Sequence, residues 1–408
     1  MAKNVVRLYK ERLNLLLDVA QTINEDNSVD DLMQEFEILL REELGVGKIL
    51  IFTREGNSWN CILQQGVPDQ QRDAIDIDKD LPTGLAIENL AMSENPNLAG
   101  FDAVIPLLHK YKLMGYVLVG DDEESADGIS PTLRNLKFIQ ILSNIIIVFI
   151  ENKKMQARLL EQEGLRKEIA LASRIQAGLV PPEGQLLQTG FTRAMSYYHP
   201  HQQVGGDYFD VLQLSPTTIG FCIADVSGKG VAAALLMSNF QALVRALFTA
   251  SIPLDELVSL LNSHVASNTH GEKFVTSFIA RYDCISHQLS YVNAAQLPPI
   301  VFKRSSADIV GLFKGTIGLG MLDELPSVDV GDIQLDPGDL VVSYTDGLVE
   351  YEQPDGSVGN NDARLESIMR QGLGIDLTMK AIASMAEELR LKNMAFDDTS
   401  VLAIEVVK

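Results

Sequence analysis

The sequence predicts an α+β protein: two mixed domains, each built around a sheet, joined by one long helix. Three observations predict it. Helical spacing of apolar residues over the first 45 positions gives way to short alternating runs. An unbroken helix-permissive stretch lies between Ser130-Pro131 and Pro181-Pro182. Beyond it, strand-like runs return, and several end in Asp beside small residues. The 408 residues leave room for two or three domains at roughly 150 each. The boundaries read from the pattern are 1–150, 151–185 and 186–408.

In the first segment, Val6, Leu13, Leu16, Leu17, Ala20 and Ile23 recur at helical spacing, and Leu32, Phe36, Leu39, Leu40 and Leu44 do so again. Ser28 is placed to cap the second helix, and Gly45 to stop it. Strands are predicted over Lys48–Thr53, Trp59–Leu63, Ala103–Leu108 and Leu113–Val119. Turn chemistry sits at Glu55-Gly56-Asn57, and a hairpin around Lys110–Lys112. This element order and the segment PLLHKYKLMGYVLVG (106–120) resemble a GAF sensor domain. Such domains can hold small ligands. Here residues 65–100 read as short and polar, so an empty, dimerising domain is expected rather than a ligand-filled one.

Ser130 with Pro131 reads as a helix start, and Pro181-Pro182 as a stop. One seam of the intervening helix runs through Leu142, Ile145, Phe149, Asn152, Gln156 and Leu159. A second runs through Leu165, Ile169, Ala172, Gln176 and Leu179, one residue out of phase, with Gly164 at the join. An amphipathic connector would look similar. The reading preferred is a parallel coiled coil that makes the chain a homodimer together with the GAF-like domain.

Composition excludes several classes. Hydrophobic residues make up 46% and charged ones 22%, which no disordered chain shows. Net charge is −22. Residues 1–150 carry 13 positive and 24 negative groups, 151–182 carry 6 and 4, and 183–408 carry 14 and 27. A nucleic-acid binder needs a basic face, so none is expected. Cys61, Cys222 and Cys284 are few, odd in number and set in apolar runs, the usage of buried hydrophobes in a reducing compartment. The start MAKNVVRLYKERLN has no apolar signal core, and Ile139–Ile150 is broken by Gln140, Ser143 and Asn144. A cytoplasmic protein without membrane insertion is therefore expected.

Four motifs carry the chemistry. They are Val204-Gly205-Gly206-Asp207-Tyr208-Phe209-Asp210, Ala224-Asp225-Val226-Ser227-Gly228-Lys229-Gly230, Ser343-Tyr344-Thr345-Asp346-Gly347, and Phe396-Asp397-Asp398-Thr399-Ser400. Each puts an aspartate at a strand end, where four distant segments can meet at one edge of a sheet core. Two carboxylates about 4 Å apart repel by roughly 4 kcal/mol at an effective dielectric near 20. Four together are tolerable only around cations or with raised pKa values. Oxygen donors without Cys or His select a hard metal, Mg²⁺ or Mn²⁺. Singly, each motif reads as a turn; jointly they read as a metal site.

With VGGDYFD, DVSGKGVAAALLM, LDPGDLVVSYTDGLVE and DDTSVLAIEV in this order, residues 190–406 resemble the SpoIIE-like branch of the PPM (type 2C) protein phosphatases. Asn262 in LLNSHV, FVTSFIARYD (274–283), Pro298-Pro299 and Arg364-Leu365 also match. The resemblance implies a β-sandwich flanked by helices, with two divalent metals, Mn²⁺ or Mg²⁺, at one end. By that match Asp225 bridges both metals, and the Val226 carbonyl holds the second. Asp346 and Asp397 bind the first, and Asp207 is a direct or water-mediated ligand. Asp398 and Asp210 support the site from outside. A bridging hydroxide would attack phosphorus in line, with no covalent enzyme intermediate. With the GAF-like domain and the helix ending ALASRIQAGLVPP, the whole chain resembles partner-switching regulators. Those act on phosphoserine or phosphothreonine of a STAS-domain anti-sigma-factor antagonist.

One departure stands out. The family reads Asn-Ala-Gly-His before Pro-Pro, where this chain has Asn293-Ala294-Ala295-Gln296-Leu297-Pro298-Pro299. His199 and His201, just before the first motif, are expected to be non-catalytic loop residues. Two rival readings compete: a diguanylate cyclase, because Gly205–Phe209 imitates a GGDEF hairpin, and a catalytically silent binding module. The first fails because Tyr208 replaces an acidic residue and the motif falls too early in its domain. The second sits badly with four retained aspartates. SGKG lacks the spacing of a P-loop.

Overall fold

The computed structural model describes residues 12–17, 19, 21, 28–56, 58–82, 84–90, 92–109, 112–121, 130–201, 203–395 and 397–408. Val6, Ala20, Ile23, Asn57, Lys110 and Phe396 lie outside that set. The chain divides into two compact units, 1–163 and 164–408.

In the first unit, the helix Val29–Ile38 begins at Ser28 with a capping box: the Ser28 hydroxyl accepts from the Asp31 amide, and the Asp31 carboxylate accepts back. Gly45, at φ 69°, closes the helical segment. The strands β1 (Lys48–Glu55), β2 (Ser58–Gln65), β3 (Glu88–Asn89), β4 (Ala103–His109) and β5 (Lys112–Gly120) form one antiparallel sheet, ordered β2-β1-β5-β4-β3. One face packs Ile49, Ile51, Ile105, Val117 and Val119 against Phe36, Leu40, Leu142 and Ile146. The other carries Leu50, Phe52, Val104, Tyr116 and Leu118. It is covered by Val67, Ile75, Ile77, Leu81, Leu98 and Phe101. The segment 65–100 is thus not the polar stretch its composition implies. Its apolar side chains are spaced irregularly and go into this second core.

A 47-residue helix spans Pro131–Ala177, with Ser130 as its start. Its window of highest hydropathy, mean 1.6 over 18 residues, is long and apolar enough to cross a bilayer by length and composition. The sequence reading, which counted only an unbroken apolar run, missed this. Phe138, Ile139, Leu142, Ile146, Ile147 and Ile150 from this helix lie in the first unit's core, which accounts for the apolar bias. Leu142 and Phe149, assigned above to a coiled-coil seam, are buried there too. Leu179 falls beyond the last helical residue. Farther along, Met155, Leu159, Leu165, Leu171 and Ile175 are exposed.

The second unit stacks two sheets. The first contains β8 (Tyr208–Ser215), β9 (Thr218–Val226), β10 (Val275–Asp283), β11 (Gln288–Ala294) and β14 (Gly315–Thr316), in the order β14-β11-β10-β9-β8. Here β15 (Gly331–Gln334) also pairs with β11. The second contains β6 (Gly184–Gln188), β7 (Thr192–His199), β12 (Ile300–Phe302), β13 (Ile309–Gly311), β16 (Leu340–Tyr344) and β19 (Thr399–Val406), in the order β13-β12-β16-β19-β7-β6. The short strands β17 (Glu350–Glu352) and β18 (Val358–Asn360) pair with each other. Strand alternation sets the layers. Val341, Leu402 and Ile404 share a core with the first sheet and with helices Val231–Leu247 and Leu254–Thr269. Leu340, Val342, Val401 and Ala403 face the opposite way, onto helices Asp362–Arg370 and Ile375–Leu391. The result is helix, sheet, sheet, helix.

Candidate metal centre

Antiparallel pairing brings the four motifs to one end of this sandwich. Asp207 immediately precedes β8, and Asp225 is the penultimate residue of β9. Tyr208 pairs with Ala224, so the two aspartates are neighbours at the same sheet end. In the other sheet Tyr344 pairs with Val401. Asp346 follows β16, and Asp397 precedes β19. A cleft of about 440 Å³ opens there, lined by Asp225, Asp346, Asp397, Glu350, Gln296 and Pro298.

Two glycines make the approach possible. A β-carbon on Gly206 would lie 3.0 Å from the Val226 carbonyl oxygen and 3.3 Å from Asp225 Oδ1. One on Gly347 would lie 2.1 Å from the Asp398 carbonyl oxygen. A side chain at 347 would force the two loops of the second sheet apart.

The electrostatics are those of crowded anions. Burial, and then the charges of Asp225 and Asp398, hold Asp207 well above the ordinary carboxylate range. Burial, reinforced by Asp346, Asp397 and Asp398, pushes Asp225 up to about 7. Burial and the Asp397 charge push Asp346 up to about 6, and Lys229 offsets part of this. Lys229 Nζ lies 3.1 Å from Asp397 Oδ2. The side chains are gathered but not closed on a point. Among the described residues, no three His, Cys, Asp or Glu side chains form a ligand cage. The donor set still fits a hard divalent cation: oxygen only, from both sheets, with mutual repulsion that a cation would relieve.

The remaining motif residues hold the backbone. Asp398 accepts from the His201 amide at 2.8 Å and the Gly206 amide at 2.7 Å. It pins the loop that delivers Asp207. Asp210 is buried, accepts from the Tyr208 hydroxyl at 2.8 Å and pairs with Arg245 at 2.7 Å. It points away from the cleft lining. His199 and His201 line an adjoining pocket of about 400 Å³ with Tyr197, Glu352, Arg390 and Asp397, the last of which also lines the cleft.

Three contributors were not read from the sequence. The Thr345 hydroxyl donates to Asp207 Oδ2 at 2.8 Å and joins the two sheets. Gln176, near the end of the long helix, donates to the Gly205 carbonyl at 2.7 Å and accepts from the Gly205 amide at 3.1 Å. Gln296 bonds Thr276 and the Tyr344 carbonyl.

Residues 215–407 match the family model described as Stage II sporulation protein E (SpoIIE). The C-terminal domain is a SpoIIE-type PPM domain. The chain is 28% identical over 204 residues to phosphoserine phosphatase RsbU of Bacillus subtilis (strain 168), covering 49% of this chain and 59% of RsbU. It is 24% identical over 190 residues to phosphoserine phosphatase RsbP of the same organism, covering 45% of this chain and 46% of RsbP. Less than two thirds of either relative is thus spanned. The SiaA-PP2C domain of Pseudomonas aeruginosa superposes with a TM-score of 0.50 at 17% identity, over 60% of this chain and 98% of that one. This likeness concerns the fold, and it agrees with the layered sandwich. The Gly205-Gly206-Asp207 segment, which precedes the matched residues, is a loop entering an antiparallel sandwich and not a hairpin turn, which removes the GGDEF reading.

Proposed function

We propose that the chain is a divalent-metal-dependent protein serine/threonine phosphatase. The observation that carries this reading is the set of four aspartates, Asp207, Asp225, Asp346 and Asp397, delivered to one end of a SpoIIE-type sandwich from both of its sheets. Mn²⁺ or Mg²⁺ would be held by these four carboxylates and the Val226 carbonyl. When bound, such cations supply Lewis acidity at a phosphoryl oxygen and acidify water. The protein's part is placement. Thr345 fixes one oxygen of Asp207, Asp398 holds the loop before it, and Gly347 lets the Asp346 and Asp397 loops touch. A thiol nucleophile has no support. Burial raises the pKa of Cys222 and Cys284, and neither lines the cleft.

The substrate we infer is phosphoserine or phosphothreonine on a STAS-domain anti-sigma-factor antagonist, in line with the relatives named phosphoserine phosphatases. The test is phosphate release from a phosphorylated STAS-domain protein. Release is expected with Mn²⁺ and none with chelator. Release undiminished by chelator would refute the metal reading.

Control through the GAF-like domain and the helix is part of the same proposal. Gln176 couples the end of that helix to Gly205, two residues from Asp207. Met155 and Leu159, four residues apart on one face, are exposed large apolar residues on it, a face a second copy could cover as a parallel coiled coil. Light scattering at micromolar concentration is expected to give a dimer, twice 44.8 kDa. A monomer mass would remove the coiled-coil reading.

A further inference from the structure

Gln296 is buried, 7% exposed, yet it lines the cleft beside Asp225 and Asp346. Its side-chain Nε2 donates to the Tyr344 carbonyl at 3.0 Å, and its Oε1 accepts from the Thr276 hydroxyl at 2.5 Å. Only one orientation of the amide satisfies both partners, since a carbonyl can only accept and the hydroxyl has its proton to give. The backbone at this point is fixed as well. The Gln296 amide donates to Asn293 Oδ1 at 2.8 Å, and Asn293 Nδ2 donates to the Leu312 carbonyl at 3.1 Å. Ala295 is held at φ 58°, a conformation that a β-carbon disfavours, and its amide donates to the Thr316 carbonyl.

The two partners of Gln296 belong to different sheets. Thr276 is the cross-strand partner of Asp225 in the β9–β10 pair. Tyr344 ends β16, two residues before Asp346. One amide therefore ties the strand end that carries Asp225 to the strand end that carries Asp346. The ties described above from Thr345 to Asp207, from the Gly206 amide to Asp398 and from Lys229 to Asp397 each engage a carboxylate oxygen. The Gln296 tie uses none.

We propose that Gln296 is a positioning residue: its amide brace between Thr276 and the Tyr344 carbonyl sets the spacing of Asp225 and Asp346, and thereby the affinity of the centre for divalent cations. The proposal rests on the metal reading above. It differs from general stabilisation in a definite way. A buried amide with both ends satisfied holds two loops in one register, whereas an apolar side chain of similar size would fill the space and leave the spacing free.

The test is calorimetric titration of the full chain with Mn²⁺, comparing wild type, Gln296→Leu, Thr276→Val and the double variant. Metal-free melting curves and the Mn²⁺ dependence of turnover accompany it. Each single variant is expected to weaken Mn²⁺ binding about tenfold. The double variant should be no worse than the weaker single, because the two changes cut one brace. The Mn²⁺ concentration that gives half-maximal turnover should rise by about the same factor as the dissociation constant. Thr276→Val keeps the strand's shape and serves if Gln296→Leu folds poorly. Variants that bind Mn²⁺ as tightly as wild type overturn the proposal while the metal reading stands. So does a loss of affinity that merely tracks a lower melting temperature. A wild-type chain that binds no Mn²⁺ overturns both.

Discussion

Asp225→Asn and Asp346→Asn should each lower phosphatase turnover more than tenfold at saturating Mn²⁺, without lowering the melting temperature of the metal-free protein. The first effect follows from charge. Each change removes an anionic oxygen donor from the carboxylates that, with the Val226 carbonyl, would hold a hard cation. The second follows from the same charges without the cation. Asp225 and Asp346 are half-buried beside other carboxylates, and desolvation first, then that crowding, holds each above its ordinary range. An asparagine relieves repulsion while keeping the shape. The metal-free variants should therefore melt at the wild-type temperature or above it. A residue needed only for folding would show the opposite, with loss of stability alongside loss of activity. If both variants keep more than a tenth of wild-type turnover, these aspartates are not metal ligands.

The strands that position this centre were legible in the sequence because each has a local signature. TIGFCIADV and DLVVSYTDG are apolar runs that stop at an Asp followed by small residues, and the structure ends β9 and β16 there. The N-cap at Ser28 and the helix from Pro131 to Ala177 were legible for the same reason. What escaped is long-range. Gln176 reads as one more polar residue in a helical seam, and nothing nearby marks it as the partner of Gly205, 29 residues away. The Gln296–Tyr344 bond spans 48 residues and the Thr345–Asp207 bond 138. The cover of the N-terminal sheet was misread because Ile75, Ile77, Leu81, Leu90 and Leu98 follow neither a period of two nor one of 3.6. Periodicity reports elements, and these residues lie largely between elements. Spacing also could not distinguish a helix that pairs with a second copy from one that buries Leu142 and Phe149 in its own domain.

The same half-buried carboxylates make stability depend on pH in an unusual direction. In the folded, metal-free protein Asp225 keeps its proton up to about 7 and Asp346 up to about 6, against an ordinary 3.8. Between roughly pH 4 and pH 7 the native state thus binds more protons than the unfolded chain at these positions. Their contribution is fully present at the acid end and is lost as pH rises through the folded values. Carboxylates held low by partners elsewhere, such as Glu388 at about 2 beside Lys392 and Arg364, work in the opposite sense at lower pH. The effect is therefore isolated by the difference in melting temperature between wild type and an Asp225→Asn, Asp346→Asn double variant. That difference should move against the wild type from pH 5 to pH 7.5. Cations compete with the same protons, so the stabilisation that Mn²⁺ gives should be small at pH 5 and grow toward pH 7.5. At a hundredfold excess over the dissociation constant it reaches about 2.7 kcal/mol per site. Melting curves with chelator and with Mn²⁺ at four pH values measure both trends. A wild-type-to-variant difference that does not change with pH, together with a Mn²⁺ shift that is equal at pH 5 and pH 7.5, would show that these carboxylates neither hold the protons nor meet the metal.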